Sequence, residues 1–191
     1  MSWWAPRTTQ GARPGSLAEV RARAGKHEPD DHAIGRSRGG LNTKVHAVVD
    51  GRLRLLSFTL TGGNAHDSPL LPVLLDQLAV ERIGPGRPRT RPDHLLADKA
   101  YSSQAHRAML RRRGIPHTIP ERDDQKAKRA RRGSAGGRPP KFDTELYKQR
   151  NVVERGFSWF KQWRGLAQRS DKLAINYTGG ITLKATLDWL S

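Results

Sequence analysis

The chain has no cysteine, which excludes disulfides, thiolate zinc sites and a cysteine nucleophile. It has no apolar run near the ~20 residues that span a bilayer, so the sequence offers no membrane span. The opening MSWWAPRTTQGARPGS has none of the apolar stretch of a signal peptide. Together these features fit a reducing interior. Acids are scarce as well: 18 Asp and Glu stand against 35 Lys and Arg, for a net charge of +17. An imbalance of that size points to a polyanionic partner, most simply nucleic acid. HExxH, a Walker loop and a glycine-rich dinucleotide fingerprint are all missing. The histidines, His46, His66, His94, His106 and His117 among them, fall in different elements and read as structural or surface residues.

What remains is 191 residues, enough for one domain with a core. Residues 1–34 are rich in Arg, Gly, Pro, Ala and Ser without periodicity. They read as a disordered basic segment with a helical turn at 17–24. Order is expected from about residue 41. LNTKVHAVVD is strand-like, Asp50-Gly51 signals a hairpin turn, and Leu56, Phe58 and Leu60 alternate with Ser57 and Thr59 as in a half-buried strand. Ser68-Pro69 is expected to cap a helix, with Pro at the first helical position, and that helix ends before the loop IGPGRPRTRPD. His94-Leu95-Leu96-Ala97 is a short strand running out at Asp98. Ser102 or Ser103 caps the helix that Gly114 stops, and IPHTIP is a further strand. Residues 121–141 read as a mobile basic loop suited to neutralising phosphates through Arg129, Arg131 and Arg132. The tail reads as a last helix weakened by Gly179-Gly180. The sum is an α/β fold with a hairpin feeding a mixed sheet.

The stretch 143–166, DTELYKQRNVVERGFSWFKQWRGL, reads as one helix of about six turns. On it Tyr147, Arg150, Glu154 and Lys161 share a polar stripe. Val152, Val153, Trp159, Phe160, Trp163 and Leu166 cover much of the rest, which implies a largely buried helix. The bland alternative is a surface ion network, worth little in stability. A strand-end Asp98 and a helix Glu154 are hard oxygen donors that can converge on one divalent cation. Such an ion keeps waters and substrate phosphates in its other positions. Asp98 can equally cap the next turn, and Asp67 is a second acid whose simpler role is helix entry.

The stripe Tyr147, Arg150, Glu154 and Lys161 resembles the Y-R-E-K signature of bacterial insertion-sequence transposases of the DDE type, in the insertion-sequence four and five groups. GRSRGGLNTKVHAVVD at 35–50, LTGGNAHDSP at 60–69, LLADKAYSS at 95–103 and RGIPHTIPER at 113–122 are similar to flanking pieces of the same family. The resemblance spans 28–190. It implies an RNase H-like fold and cutting and joining of element ends with Mg²⁺ or Mn²⁺ held by Asp98 and Glu154. Tyr147, Arg150 and Lys161 would then contact DNA beside the scissile phosphate. It also implies a bacterial cytoplasmic, nucleoid-associated protein whose partner is DNA, and it leaves room for a homodimer.

One departure stands out. The family's first catalytic Asp lies on a strand ahead of the GRSRGGL motif, where this chain is Arg-, Gly- and Pro-rich. Asp30 and Asp31 follow Pro29 in a loop-like context and do not look like that residue. Ser170, where the family tends to an aromatic, is a smaller departure. The expectation is a catalytic domain over 35–191 lacking its first strand. It would be inactive alone, leave LNTKVHAVVD as an open sheet edge, and be completed by an upstream reading-frame product. The rival reading is a basic nucleic-acid-binding protein without catalysis.

Overall fold

The computed structural model describes residues 2–4, as backbone, and 32–190. Within them the side chains of Val153, Glu154, Phe157 and Trp159 fall outside the description. Asp30, Asp31 and the helical turn at 17–24 likewise lie outside the described residues. The strands are β1 (Ser2–Trp4), β2 (Gly35–Ser37), β3 (Gly40–Val49), β4 (Leu55–Gly62), β5 (Leu95–Leu96) and β6 (His117–Thr118). The helices are α1 (Leu70–Asp76), α2 (Gln104–Arg112), α3 (Asp123–Arg131), α4 (Thr144–Lys148), α5 (Asn151–Lys161), α6 (Arg164–Gln168) and α7 (Ala174–Leu190).

The β3–β4 hairpin is the centre. Its turn is closed by Asp50, whose carboxylate accepts from the Arg52 and Arg54 amides at 2.8 and 3.0 Å and from the Arg54 guanidinium at 2.8 and 2.6 Å. The side chains of β3 alternate between two cores. Val48 joins Leu71, Leu74, Leu95, Leu110 and Ile119 on one face. Ala47 and Val49 join Leu166, Tyr177 and Ile181 on the other. The hairpin is thus covered on both sides. The expected half-buried strand is corrected accordingly: a register shift between Val48 and Val49 breaks the alternation of β4, as bulges do. Leu56 packs on the first core while Phe58 and Leu60 pack on the second. Ser57 is buried and donates to the Leu74 carbonyl at 2.9 Å.

β5, α2 and β6 form a parallel crossover unit, with Leu95 opposite His117 and Leu96 opposite Thr118. Ser103, not Ser102, caps α2 by accepting from the His106 amide at 3.1 Å. The edge expected to be open on β3 is lined: Ser2–Trp4 pairs antiparallel with it across from Val48, Ala47 and His46. Aromatic residues favour extended backbone, and these three residues form a strand within the segment read as disordered.

Two further expectations are revised. Residues 121–141 contain a helix, α3, with Asp123 and Asp124 in its first turn and Lys128, Arg129 and Arg131 in its last. That arrangement complements the helix dipole and outweighs the turn-rich composition around it. The single helix over 143–166 is three, with breaks after Lys148 and Lys161. Trp163, in extended backbone, starts α6 and is 38% exposed. The turn there brings Leu166 onto α7, where the Tyr177 hydroxyl donates to the Leu166 carbonyl at 2.8 Å. Burial pushes the Tyr177 pKa up to about 12. Gly180 serves this contact, since a Cβ on it would stand 3.1 Å from Leu166 Cδ2. No helix among the described residues is long and apolar enough to cross a membrane.

Leu110 is fully buried between α1 and the parallel unit. Leu110→Ala should cost about 2–5 kcal/mol, read as a lower urea midpoint at unchanged slope. A wild-type midpoint would mean that α2 does not carry this core.

Candidate active site

Asp98 sits where β5 ends. Leu95, Leu96 and Ala97 before it and Tyr101 after it are buried, so the core grips the backbone on both sides of this residue. The backbone at Asp98 is extended, and its Oδ1 accepts from the Ala100 amide at 2.8 Å, capping a 3-10 turn over Lys99–Tyr101. The capping alternative and a chemical role therefore coexist, because one oxygen caps and the other is left over. Burial pushes the Asp98 pKa up. The Ala100 amide and the Arg150 charge pull it down, and Asp67 pushes it up again. Asp67 and Arg150 thus both lie within electrostatic reach of Asp98.

The sequence underrated Asp67. It is not a side-chain cap for α1, whose capping position is Pro69 without any side-chain bond. Its Oδ1 lies 3.2 Å from Lys44 Nζ and 3.7 Å from His46 Nδ1. Lys44 Nζ also donates to the Ala65 carbonyl at 2.6 Å. His46 is fully buried, with Nε2 at 2.7 Å from Thr61 Oγ1. Burial lowers its pKa, against the pull of Asp67, so the ring is neutral at pH 7. The signal was there: Lys44 and His46 share the β3 face of Val48 by period two. Polar residues on an otherwise buried face mark a site.

The stripe inferred for a single helix is distributed over several elements. Tyr147 is on α4, Arg150 lies between α4 and α5, and Glu154 and Lys161 are on α5, Lys161 exposed in its last turn. The Glu154 side chain lies outside the described residues, so its distance to Asp98 does too. The Arg150 guanidinium stands 5.6 Å from the Tyr147 ring centroid, and Phe142 packs on Tyr147 at 5.1 Å. Helix α3 carries the other cations: Arg129 is paired with Glu121, while Arg131 and the capping Arg132 are exposed. Among the described residues there is no group of three or more His, Cys, Asp or Glu able to hold a metal ion.

Comparison with known proteins bears on the chain as a whole. The family described as Transposase DDE domain matches residues 8–187. A Burkholderia cepacia protein named as a transposase for insertion sequence element IS402 is 34% identical over 152 residues, covering 80% of this chain and 64% of that protein. A Brucella ovis protein named as a transposase for insertion sequence element IS6501 is 29% identical over 150 residues, covering 78% of this chain and 99% of that one. The chain therefore spans less than two thirds of the length of the Burkholderia relative. No solved structure matches.

The Asp98 carboxyl is held above its ordinary 3.8 chiefly by burial. The folded state therefore binds that proton more tightly than the unfolded state. Stability from this group is present in acid and is lost as pH rises through the folded pKa. Asp98→Asn, which keeps an oxygen for the Ala100 amide, should raise the melting temperature at pH 7 and lose that advantage below pH 3.8. Calorimetry at both pH values checks this. A lower melting temperature at pH 7 would show that the carboxylate is stabilising where it sits.

Proposed function

This chain belongs to the transposase DDE domain family, and we propose that it is the catalytic region of a bacterial insertion-sequence transposase acting on DNA at element ends. The observation that carries the reading is Asp98, a core-gripped and partly desolvated carboxylate at the end of a parallel strand, with Arg150 in its field and Tyr147 beside Arg150. The antiparallel hairpin and the parallel β5–β6 pair belong to two separate sheets rather than the one mixed sheet expected, and the helices that cover both faces of the hairpin are what supports an RNase H-like arrangement.

The donor chemistry suits a hard divalent cation, Mg²⁺ or Mn²⁺. A carboxylate whose ionisation is opposed by burial is one that a cation at its free oxygen would favour. Asp98 and Glu154 would hold it, and when bound it would polarise the scissile phosphate and acidify the attacking water. The chain's own residues do the rest. Arg150 and Lys161 neutralise the phosphates flanking the cut, and Tyr147 holds Arg150 by its ring face. Arg129, Arg131 and Arg132 track the backbone further out. Asp67, held by Lys44, adds a second negative charge beside Asp98.

Two carboxylates are fewer than a two-ion site requires, and no strand ending in Asp precedes GRSRGGL in the sequence. We therefore infer that these 191 residues bind DNA but do not cut it. An upstream reading-frame product would supply the missing Asp, in the bacterial cytoplasm and on the nucleoid. A homodimer would present two such clefts to the paired ends of one element.

The test is cleavage of a labelled element-end duplex. The chain alone should bind without nicking, and fusion to the upstream frame should give Mg²⁺-dependent cutting that Glu154→Gln abolishes. Binding should weaken with salt at a log–log slope of roughly −0.9 per phosphate neutralised, and replacing Arg129, Arg131 and Arg132 by Gln should flatten it. Glu154-dependent cutting by the unfused chain would refute the missing-acid inference and point to Asp67. Salt-sensitive binding with no cutting even by the fusion would favour a non-catalytic DNA-binding protein.

A further inference from the structure

We propose that residues 80–92 form an arm that enters the minor groove of duplex DNA, with Ile83 as a wedge that unstacks a base step and bends the helix. The proposal rests on the DNA-binding reading above but concerns a different part of the molecule. Val80 and Arg89 exchange both backbone hydrogen bonds, at 3.0 and 2.7 Å, and so tie off the eight residues between them. At the apex Gly84 and Gly86 have φ of 113° and 143°, values that side chains disfavour, and Pro85 stiffens the turn between them. The arm is thus a shaped projection.

Its chemistry is one-sided. Arg82, Arg87, Arg89 and Arg91 are exposed and face only Glu81 within the arm. Arg89 pairs with Asp93; among the described residues Arg82, Arg87 and Arg91 have no such carboxylate partner. Arg82, Arg89 and Arg91 also line a cleft of about 630 Å³ at the base of the arm, floored by Gly114 and Pro116. Ile83 is 110% exposed, fully in solvent at the tip beside Arg82, and belongs to neither core. A single exposed apolar residue is ordinary by itself. This one caps a stiff turn whose flanks carry arginines, the pattern of proteins that insert an apolar wedge between base steps while cations follow the phosphates. The minor groove, about 6 Å wide, admits such a tip where it would exclude a helix. Arginine is drawn to the enhanced negative potential of a narrowed groove. An acidic protein surface would satisfy the arginines but would have no use for the isoleucine at the apex.

The experiment uses the full chain with a random-sequence duplex carrying a donor and an acceptor dye at its two ends. Wild type should bind and shorten the end-to-end distance. Ile83→Ser should bind with the same salt slope and the same melting temperature but leave the duplex straight. Combined Arg82→Gln, Arg87→Gln and Arg91→Gln should reduce the salt slope by roughly 0.9 for each phosphate no longer neutralised. Wild-type bending by the Ile83→Ser protein, or binding by wild type without any bend, overturns the wedge and leaves the DNA-binding reading intact. Failure of wild type to bind duplex at all removes both.

Discussion

The structure depends on one constraint: the β3–β4 hairpin is buried on both faces. A strand with one wet face needs apolar residues only at every second position. Here β3 has to satisfy α1 and the parallel unit on one side and α6 and α7 on the other, which is why Ala47, Val48 and Val49 run consecutively into the interior. The shift between Val48 and Val49 lets β4 serve both cores although its own alternation would have served one. Burial of this kind is the main favourable term in folding, and α1, the parallel unit, α6 and α7 are placed by which side of the hairpin they cover.

The polar cluster follows from the same constraint. Where the β3 face turned to α1 runs out of apolar residues, Lys44 and His46 take over, and Asp67 is drawn in by Lys44. A buried charge must be paired or hydrogen-bonded: Lys44 pairs with Asp67 at 3.2 Å and donates to the Ala65 carbonyl at 2.6 Å. Asp98 is treated differently. It has one backbone amide and the more distant pull of Arg150, and burial outweighs both. Groups held away from their ordinary pKa collect at functional sites. Asp67 is held by an ion pair to Lys44, while Asp98 keeps one carboxylate oxygen beyond the one that accepts from the Ala100 amide.

The excess positive charge is unevenly used. Arg54 is bound into the hairpin turn, Arg107 donates to the Ile119 carbonyl at 2.8 Å, and Arg169 ties residues 32 and 33 and Thr43 to the end of α6. Arginine's planar fork suits such multiple donation. Arg82, Arg87, Arg91, Arg131, Arg132 and Lys161 face solvent, while Arg89 and Arg129 are paired with Asp93 and Glu121. The internal arginines are part of the fold, and only the outward ones are available to a polyanion.

Much was legible in the sequence because it is written locally. The β3 and β4 strands, the Asp50 turn, a serine cap at 102 or 103 with its Gly114 stop, and Asp98 at a strand end each depend on residues within a few positions of one another. Family membership was legible for a related reason: the short motifs around these turns are specific in combination. Most of what the sequence alone could not decide was set by contacts far apart in the chain. Helical periodicity runs through 143–166 without interruption, yet Leu166 turns aside to reach Tyr177. Composition marks 121–141 as a loop, yet the charges on α3 complement a helix. Asp67 does stand at the entry of α1, where its carbonyl accepts from the Leu70 amide, but the pairing of its carboxylate was decided by Lys44, 23 positions away. Pattern and propensity act over one or two turns, and the choice between burying one residue and solvating another belongs to the assembled core.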